Sequence, residues 1–479
     1  MKKLLAFSLT LILLLAVTCG CSSAGNGADE PTQPDTPQTD TTQPDTPPEE
    51  PEQPAVPYGK CGENLSWNLT DDGVLTISGT GAMEYSAQPW SDFLESITSV
   101  VIEDGASTIG NDAFSGCTNL ADIVIPDSIV TIGDSAFSGC SALTTLEIPG
   151  SVKTIGDSAF SGCSALADVY FGGDDWAWSG ISVGEGNDCL SNAELTCVIA
   201  EGTCGENLTW TLTDDGVLTI SGTGAMDSFS RQPWVDYQET VSSIVIEDGV
   251  TTIGETAFFR FVNLTHIDIP NSITTIEGYA FMLSGLTSIT LPNSITAIGD
   301  QAFSECTGLT SIEILGSVSS MGNYVFQNCT NLTSVTIADS VTTIGYGAFW
   351  GCTGLTSIEI PNSVTFIDNG AFNGCTGLTS IEFPDSVTTI GGHVVANCTN
   401  LTSIRIPDGV TTIDGMFYMC SSLTSVELPA SVTAITGYAF NGCSSLATVY
   451  FGGTEEQWDA IEVDEISEIY LSNAEIVFG

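Results

Sequence analysis

Two histidines, sixteen cysteines and 59 acidic residues are the groups in this chain that could do chemistry, set against only seven Lys plus Arg. Histidine would serve as general acid or base, but His266 falls on an outward strand position and His393 in a turn about five repeats further on, so the two do not share a site. Ten cysteines recur at intervals of 22 or 23 residues within two runs, Cys117, Cys140 and Cys163 in the first and Cys306, Cys329, Cys352, Cys375, Cys398, Cys420 and Cys443 in the second. Zinc needs four ligands converging on one point, and a regular ladder does not converge. Phe261 and Ser284 hold the same place in two further repeats. A place that accepts Phe packs in an interior, so these thiols are expected to be buried and unreactive, with bridges between rungs disfavoured by their parallel directions. Cys189 and Cys197 stand outside the ladder, where a later matching segment has Tyr470 and Phe478. In an exported protein those two can form a disulfide; Cys61 and Cys204 either stay free or pair locally, and spacing does not assign connectivity. The chain carries no GxSxG, no HExxH and no Gly-rich phosphate loop. Carboxylate pairs are too numerous to mark a glycosidase without a cleft, and no EF-hand loop gathers them around calcium, although weak capture by neighbouring acids is conceivable. No catalytic residue, no metal site and no cofactor is expected.

What positions these residues is a unit of about 23 residues, of which LTSIEIPNSVTFIDNGAFNGCTG from Leu355 to Gly377 is a clean copy. Copies begin at Ile97, Leu120 and Leu143, and again at Val241, Leu264, Leu286, Leu309, Leu332, Leu355, Leu378, Leu401 and Leu423. Self-similarity at that period predicts a solenoid whose units stack on one another. In the copy at Leu355, alternation turns Leu355, Ile358 and Ile360 inward and Ser357 and Glu359 outward along a strand. Pro361 ends it, Val364 and Ile367 suggest a second brief strand, and Ala371, Phe372 and Cys375 a compact closing turn. The units at Leu286 and Leu423 arrive after 22 residues, and Val394-Val395 stands where Ala-Phe is usual, so local bending or loosening is expected there.

The segment CGENLSW at Cys61 reappears as CGENLTW at Cys204, and VYFGG at Val169 reappears at Val449, each followed by LSNAE. An uncovered terminal rung would expose apolar side chains and strand edges, so these matched headers and tails read as caps. The expected organisation is a first capped module over 58–200 and a second over 201–479, with a rigid or semi-rigid joint near Glu201. Ahead of them, Lys2 and Lys3 precede an apolar run from Leu4 to Val17 with the shape of a secretory signal, assigned to 1–20. Residues 21–57 are rich in Pro, Thr, Gln, Asp and Glu and cannot bury apolar surface. At ~3.1 Å per residue, such an extended tether reaches up to ~100 Å.

The pattern LxxIxIPxSVTxIGxxAFxGC resembles the BspA-like (Treponema-type) leucine-rich repeat over about 97–170 and 241–450. The resemblance implies a mostly β repeat solenoid of short strands with turns or short helical loops. It also implies a non-enzymatic bacterial cell-surface protein of the adhesin type, binding proteins of host matrix or of other cells. TCGCSS at Thr18 resembles a bacterial lipoprotein signal, which makes Cys21 the lipidation site; plain cleavage is the alternative. The expected location is the outer face of a bacterial membrane, with membrane contact only through that anchor. A net charge of −52 argues against nucleic acid and against anionic lipid surfaces. Two outward strand columns remain to carry specificity, one of Ser or Thr and one variable. The candidate binding face comprises Asp268, Glu313, Ser357, Glu359, Ser380, Glu382, Arg405 and Glu427. Glu359 and Glu382 should repel, while Arg405 sits where it could bridge Glu382 and Glu427. The same columns also suit a merely solvating face. A glycan-binding surface lipoprotein is the alternative function, with exposed aromatics among Trp90, Trp234, Trp350 and Trp458 doing the binding. A monomer is expected.

Overall fold

The computed structural model describes residues 56–83 and 88–479, so the signal segment, Cys21 and nearly all of the tether lie outside the described residues. These residues form a β-solenoid in two compact units, one ending at Cys197 and the other running from Val198 to Gly479.

In the first unit an antiparallel header of Tyr58–Lys60, Asn64–Leu69 and Val74–Ala82 passes its register to the repeats. Val74–Ala82 is long enough to seed two parallel stacks at once. Val74 pairs with Ser99 and Gly81 with Ala106. Ser99–Ile102 and Asp122–Val124 continue one stack, while Ala106–Ile109, Thr131–Ile132, Thr154–Ile155 and Ser182–Val183 form the other. Each of the three repeats of this unit carries one strand of either kind, so register follows from the period. A third ladder runs through the closing arcs, where the Phe114 N–H donates to the Ala136 carbonyl at 2.7 Å and the Phe137 N–H to the Ala159 carbonyl at 2.7 Å.

The second unit repeats the plan. Residues 198–205 pair with Leu208–Thr213, which pairs with Val217–Gly222, and Val217–Gly222 hands over in parallel to Ser243–Ile246. Inward positions close the core: Leu355, Val364, Ile367, Ala371, Phe372 and Cys375 are all fully buried. The arc phenylalanines stack along the axis, with Phe326, Phe349 and Phe372 at centroid spacings of 5.4 Å and interplanar angles of 16° and 2°. Each header starts its own stack with a buried tryptophan, Trp90 against Phe114 and Trp234 against Phe258, both donating indole N–H to an arc carbonyl at 2.8 Å. The tails end the arc ladder by side chain. Asn187 Oδ1 accepts the Phe160 N–H at 3.0 Å, and Ser467 Oγ accepts the Phe440 N–H at 3.2 Å, each standing in for the carbonyl of a missing rung.

The ten ladder cysteines are buried, and the thiol does more than fill space. Cys375 Sγ donates to the Phe349 carbonyl at 3.1 Å and Cys352 Sγ to the Phe326 carbonyl at 3.1 Å, a contact repeated up the stack. Burial pushes the Cys117, Cys163, Cys375 and Cys420 thiols from 9.0 up to about 12. Because the folded value is raised, this contribution is complete below the ordinary thiol range and is lost as pH climbs from about 9 toward 12. Iodoacetamide at pH 8 is expected to leave all ten unmodified until the fold is opened with denaturant, as read by mass spectrometry; modification of the ladder in the folded protein would contradict the burial.

Two local expectations are corrected. Val394-Val395 does not loosen its rung: both residues are fully buried, the Phe372 N–H reaches the Val394 carbonyl at 2.9 Å, and Cys420 Sγ reaches the Val395 carbonyl at 3.1 Å. Two β-branched side chains cover the inward area that Ala-Phe covers elsewhere, although the ring stack is interrupted there. Residues 355–360 keep the alternating burial of a strand but form no ladder strand, and the same holds for 378–383 apart from a single bridge between Ser380 and Ser403. Like charges on neighbouring strands oppose pairing, and these are the two rungs that stack Glu359 beside Glu382.

Candidate binding face

Strand alternation decides which side chains reach the face. Ser357, Glu359, Ser380, Glu382, Ser403 and Arg405 are exposed, with Ile358, Ile381 and Ile404 buried between them. On either side of the lapse the parallel ladder is intact: Ser334–Ile337 pairs with Ser311–Ile314, and Ser403–Arg405 with Ser425–Leu428. In the latter pair Arg405 lies opposite Glu427, and Glu427 opposite Tyr450. Where the ladder lapses the face is concave, enclosing about 660 Å³. Its lining includes Ser357, Glu359, Ser380, Glu382, Arg405 and Glu427, so six of the eight residues expected on the face meet in one place. Glu313, in Ser311–Ile314, and Asp268 lie on the same side of earlier rungs, outside the concavity; Asp268 Oδ1 is 3.1 Å from His266 Nε2.

Arg405 is not shared between Glu382 and Glu427. Its Nη1 donates to Asp385 Oδ1 at 2.7 Å, and its Nε stands 3.9 Å from Glu427 Oε1. The Asp385 hydrogen bond raises the guanidinium pKa. Asp385 wins because it follows Pro384 in the turn that ends its segment, and the long Arg405 side chain reaches back one rung to meet it. With its charge answered by Asp385, Arg405 leaves Glu359 and Glu382 uncompensated, so the concavity carries a local excess of negative charge.

Tyr450 and Asn362 also line the concavity and were not among the expected residues. Tyr450 was legible: it stands 23 residues after Glu427 in the variable column, but it falls in the VYFGG tail and so reads as cap. Asp385 had no signal, since turn residues carry no strand alternation. Elsewhere, Cys189 is half-buried on the helix Asp188–Asn192, and Cys197 is buried with its Sγ 3.5 Å from Asp175 Oδ1. His393 sits on an arc, away from the strand position of His266. Of the four tryptophans, Trp90 and Trp234 are core, Trp458 packs edge-on against Phe451 at 5.3 Å, and Trp350 lies half-exposed on an arc.

A family model described as a BspA type leucine rich repeat region matches residues 92–178, 236–356 and 344–460, more than half of the chain. The chain belongs to the BspA-type leucine-rich-repeat family. BspA-like proteins of this kind are cell-surface proteins. Among solved structures, a leucine-rich repeat protein from Bacteroides ovatus is similar at 24% identity, over 87% of this chain and 98% of its own, with a TM-score of 0.44. A leucine rich cell surface protein from Faecalibacterium prausnitzii is similar at 25% identity, over 86% and 99%, with a TM-score of 0.35. The T. pallidum leucine rich repeat protein is similar at 29% identity, over 42% and 90%, with a TM-score of 0.32. No curated protein matches the chain. Among the described residues no helix is long and apolar enough to cross a membrane.

Proposed function

We propose that this BspA-type protein is a non-enzymatic, surface-displayed adhesin that binds proteins of host matrix or of other cells through the strand face of its second repeat unit. The observation that supports this reading is the concavity at the ladder lapse, where outward residues of four successive rungs converge while Glu359 and Glu382 are left without a counter-charge. Such a surface fits a partner bearing Lys or Arg, and complementary charge of this kind chiefly speeds encounter. Nine rungs at ~4.8 Å give a face about 43 Å long, enough for an interface of standard size. Modest contacts spread along Ser, Thr and Glu columns favour an extended or repetitive partner.

The remaining parts of the reading concern display. A signal over 1–20, lipidation at Cys21 and a tether over 21–57 would hold capped modules over 58–200 and 201–479 away from the membrane as a monomer. Mass spectrometry of the mature protein reads both the acyl chains on Cys21 and a Cys189–Cys197 disulfide.

The test of the binding face is a pull-down of the mature protein against matrix proteins and bacterial envelope fractions. Changing Glu359, Glu382 and Arg405 together to alanine is expected to weaken capture of the partner at least about tenfold. All three side chains are exposed and loss of the Glu359–Glu382 repulsion can only favour pairing, so the circular-dichroism melt should not fall. Wild-type capture should also fall as salt is raised. Undiminished capture by the triple variant would sink the strand-face reading.

A further inference from the structure

The closing arcs of the two units are built alike but decorated differently. At the arc position held in the left-handed backbone region, the first unit has Asp112, Ser135 and Ser158, with φ of 54° to 56°. The second unit carries Thr256, Tyr279, Gln301, Tyr324, His393 and Tyr438 at that position, with φ of 55° to 59°, and glycine at Gly347, Gly370 and Gly415. Left-handed backbone disfavours bulky side chains, so nothing in the repeat's own stability asks for tyrosine there. One residue before this position the first unit has Asn111, Asp134 and Asp157, and the second unit is mostly polar or glycine there but has Tyr346 in one rung; three residues after it the first has Ser115, Ser138 and Ser161, and the second is mixed, with Trp350 in that same rung. Two consecutive rungs therefore bring three aromatic residues to these places, Tyr324 in one and Tyr346 and Trp350 in the next, while Asn323 and Gln327 stay polar.

The rings assemble. Tyr324 and Tyr346 meet edge to face at a centroid distance of 4.9 Å, and Tyr324 and Trp350 stand 6.4 Å apart at 49°. All three are half-buried, with a substantial part of each open to solvent. Their floor is glycine. A Cβ on Gly347 would lie 2.6 Å from the Tyr324 ring and one on Gly370 3.0 Å from the Trp350 ring, and both glycines have positive φ, 56° and 64°. Side chains at those positions would lift the rings or cover them. A hydrogen bond to the Tyr346 phenol, with smaller help from burial and charge, raises Tyr324 to about 12. Around the rings the polar groups are amides and acids: Gln301 Nε2 donates to the Tyr279 hydroxyl at 3.2 Å, and Asp300 accepts the Asn323 N–H at 2.7 Å.

We infer that the Tyr324, Tyr346 and Trp350 rings form a second binding site, a shelf for a neutral glucan-type carbohydrate chain. Half-buried rings with polar tips, partly open to solvent, suit a ligand that is apolar on its ring faces and hydroxylated at its edge. A hexose ring with equatorial hydroxyls has that shape, its axial C–H groups forming flat faces. The amides supply donors and acceptors for the hydroxyls, and Asp300 and Glu305 on the flanking arcs repel uronic or sulfated chains. Rungs spaced by ~4.8 Å present their groups at a pitch close to one sugar residue. The shelf lies on the arc side of the rung, separated from the strand face by the second strand stack, so it does not depend on the protein-binding role.

Affinity electrophoresis of the whole protein in native gels tests this, using soluble mixed-linkage β-glucan as the neutral probe and carboxymethyl-cellulose as the anionic one. The protein is expected to be retarded by the β-glucan and to run freely in carboxymethyl-cellulose. Tyr324→Ala and Trp350→Ala should each weaken retardation about tenfold. Tyr324→Phe, which keeps the ring, should retain most of it, and the Glu359, Glu382, Arg405 triple variant should bind as the wild type does. Free migration of the wild type in β-glucan would overturn the proposal. So would equal retardation in both gels, or undiminished retardation of Tyr324→Ala.

Discussion

Phe349→Ala is expected to destabilise the second unit by about 3–5 kcal/mol, the range for deleting a buried aromatic ring. Phe349 is fully buried and stacks on Phe326 and Phe372, both at 5.4 Å. The cavity therefore opens in the middle of the ring column, and the rungs on either side lose contact with each other as well as with the missing ring. Collapse cannot heal it, because the second-strand and arc hydrogen-bond ladders hold the flanking rungs apart. In a solenoid, stability is a sum of rung and nearest-neighbour terms, so one broken interface also divides the stack. Urea unfolding followed by tryptophan fluorescence should show an earlier and broader transition for the second unit. A loss under about 1 kcal/mol would mean that the ring column is not what couples the rungs.

Removal of the tail after Gly453 is expected to turn a soluble protein into an aggregating one. The tail helix Glu455–Trp458 is fixed by a capping box between Thr454 and Gln457, and Glu465–Leu471 by its N-cap Asp464. The strand Glu475–Phe478 covers the edge of Thr448–Phe451 in parallel register. Without these elements Val449, Phe451 and Phe440, all buried, face solvent beside an unpaired strand edge. An apolar flat edge templates the addition of other chains, and terminal rungs need a polar cover. Light scattering and size-exclusion chromatography should show large assemblies for the truncated chain. A monodisperse product with an unchanged melt would show that the tail is dispensable.

The fold was readable because one physical requirement recurs. Leu355, Ile358, Ile360, Val364, Ile367, Phe372 and Cys375 reappear at constant offsets, and stacking is the only arrangement that buries them all at once. The caps were readable for the same reason, as duplicated segments that break the period. The geometry of the proposed face was readable in part. Outward strand positions follow from alternation, which is why Glu359, Glu382, Arg405 and Glu427 could be named. Alternation says nothing about turns, so Asp385, the carboxylate that holds Arg405, carried no signal. Nor does alternation say where a ladder will lapse; the sequence cue was the like-charged pair Glu359 and Glu382 at the same place in adjacent repeats.

By itself, the chain's order of residues determined the period, the inward set, the ladder of thiols and the sign of the protein's charge. These depend on spacing along the backbone and on composition, both local quantities. The tertiary structure decided which outward groups meet: that six residues from four rungs share one concavity, that Arg405 is answered by Asp385, and that Tyr324, Tyr346 and Trp350 gather over glycines one rung on. Such meetings depend on how each rung sits on the next, within a few ångströms. That offset is set by packing between rungs and is written in no single repeat.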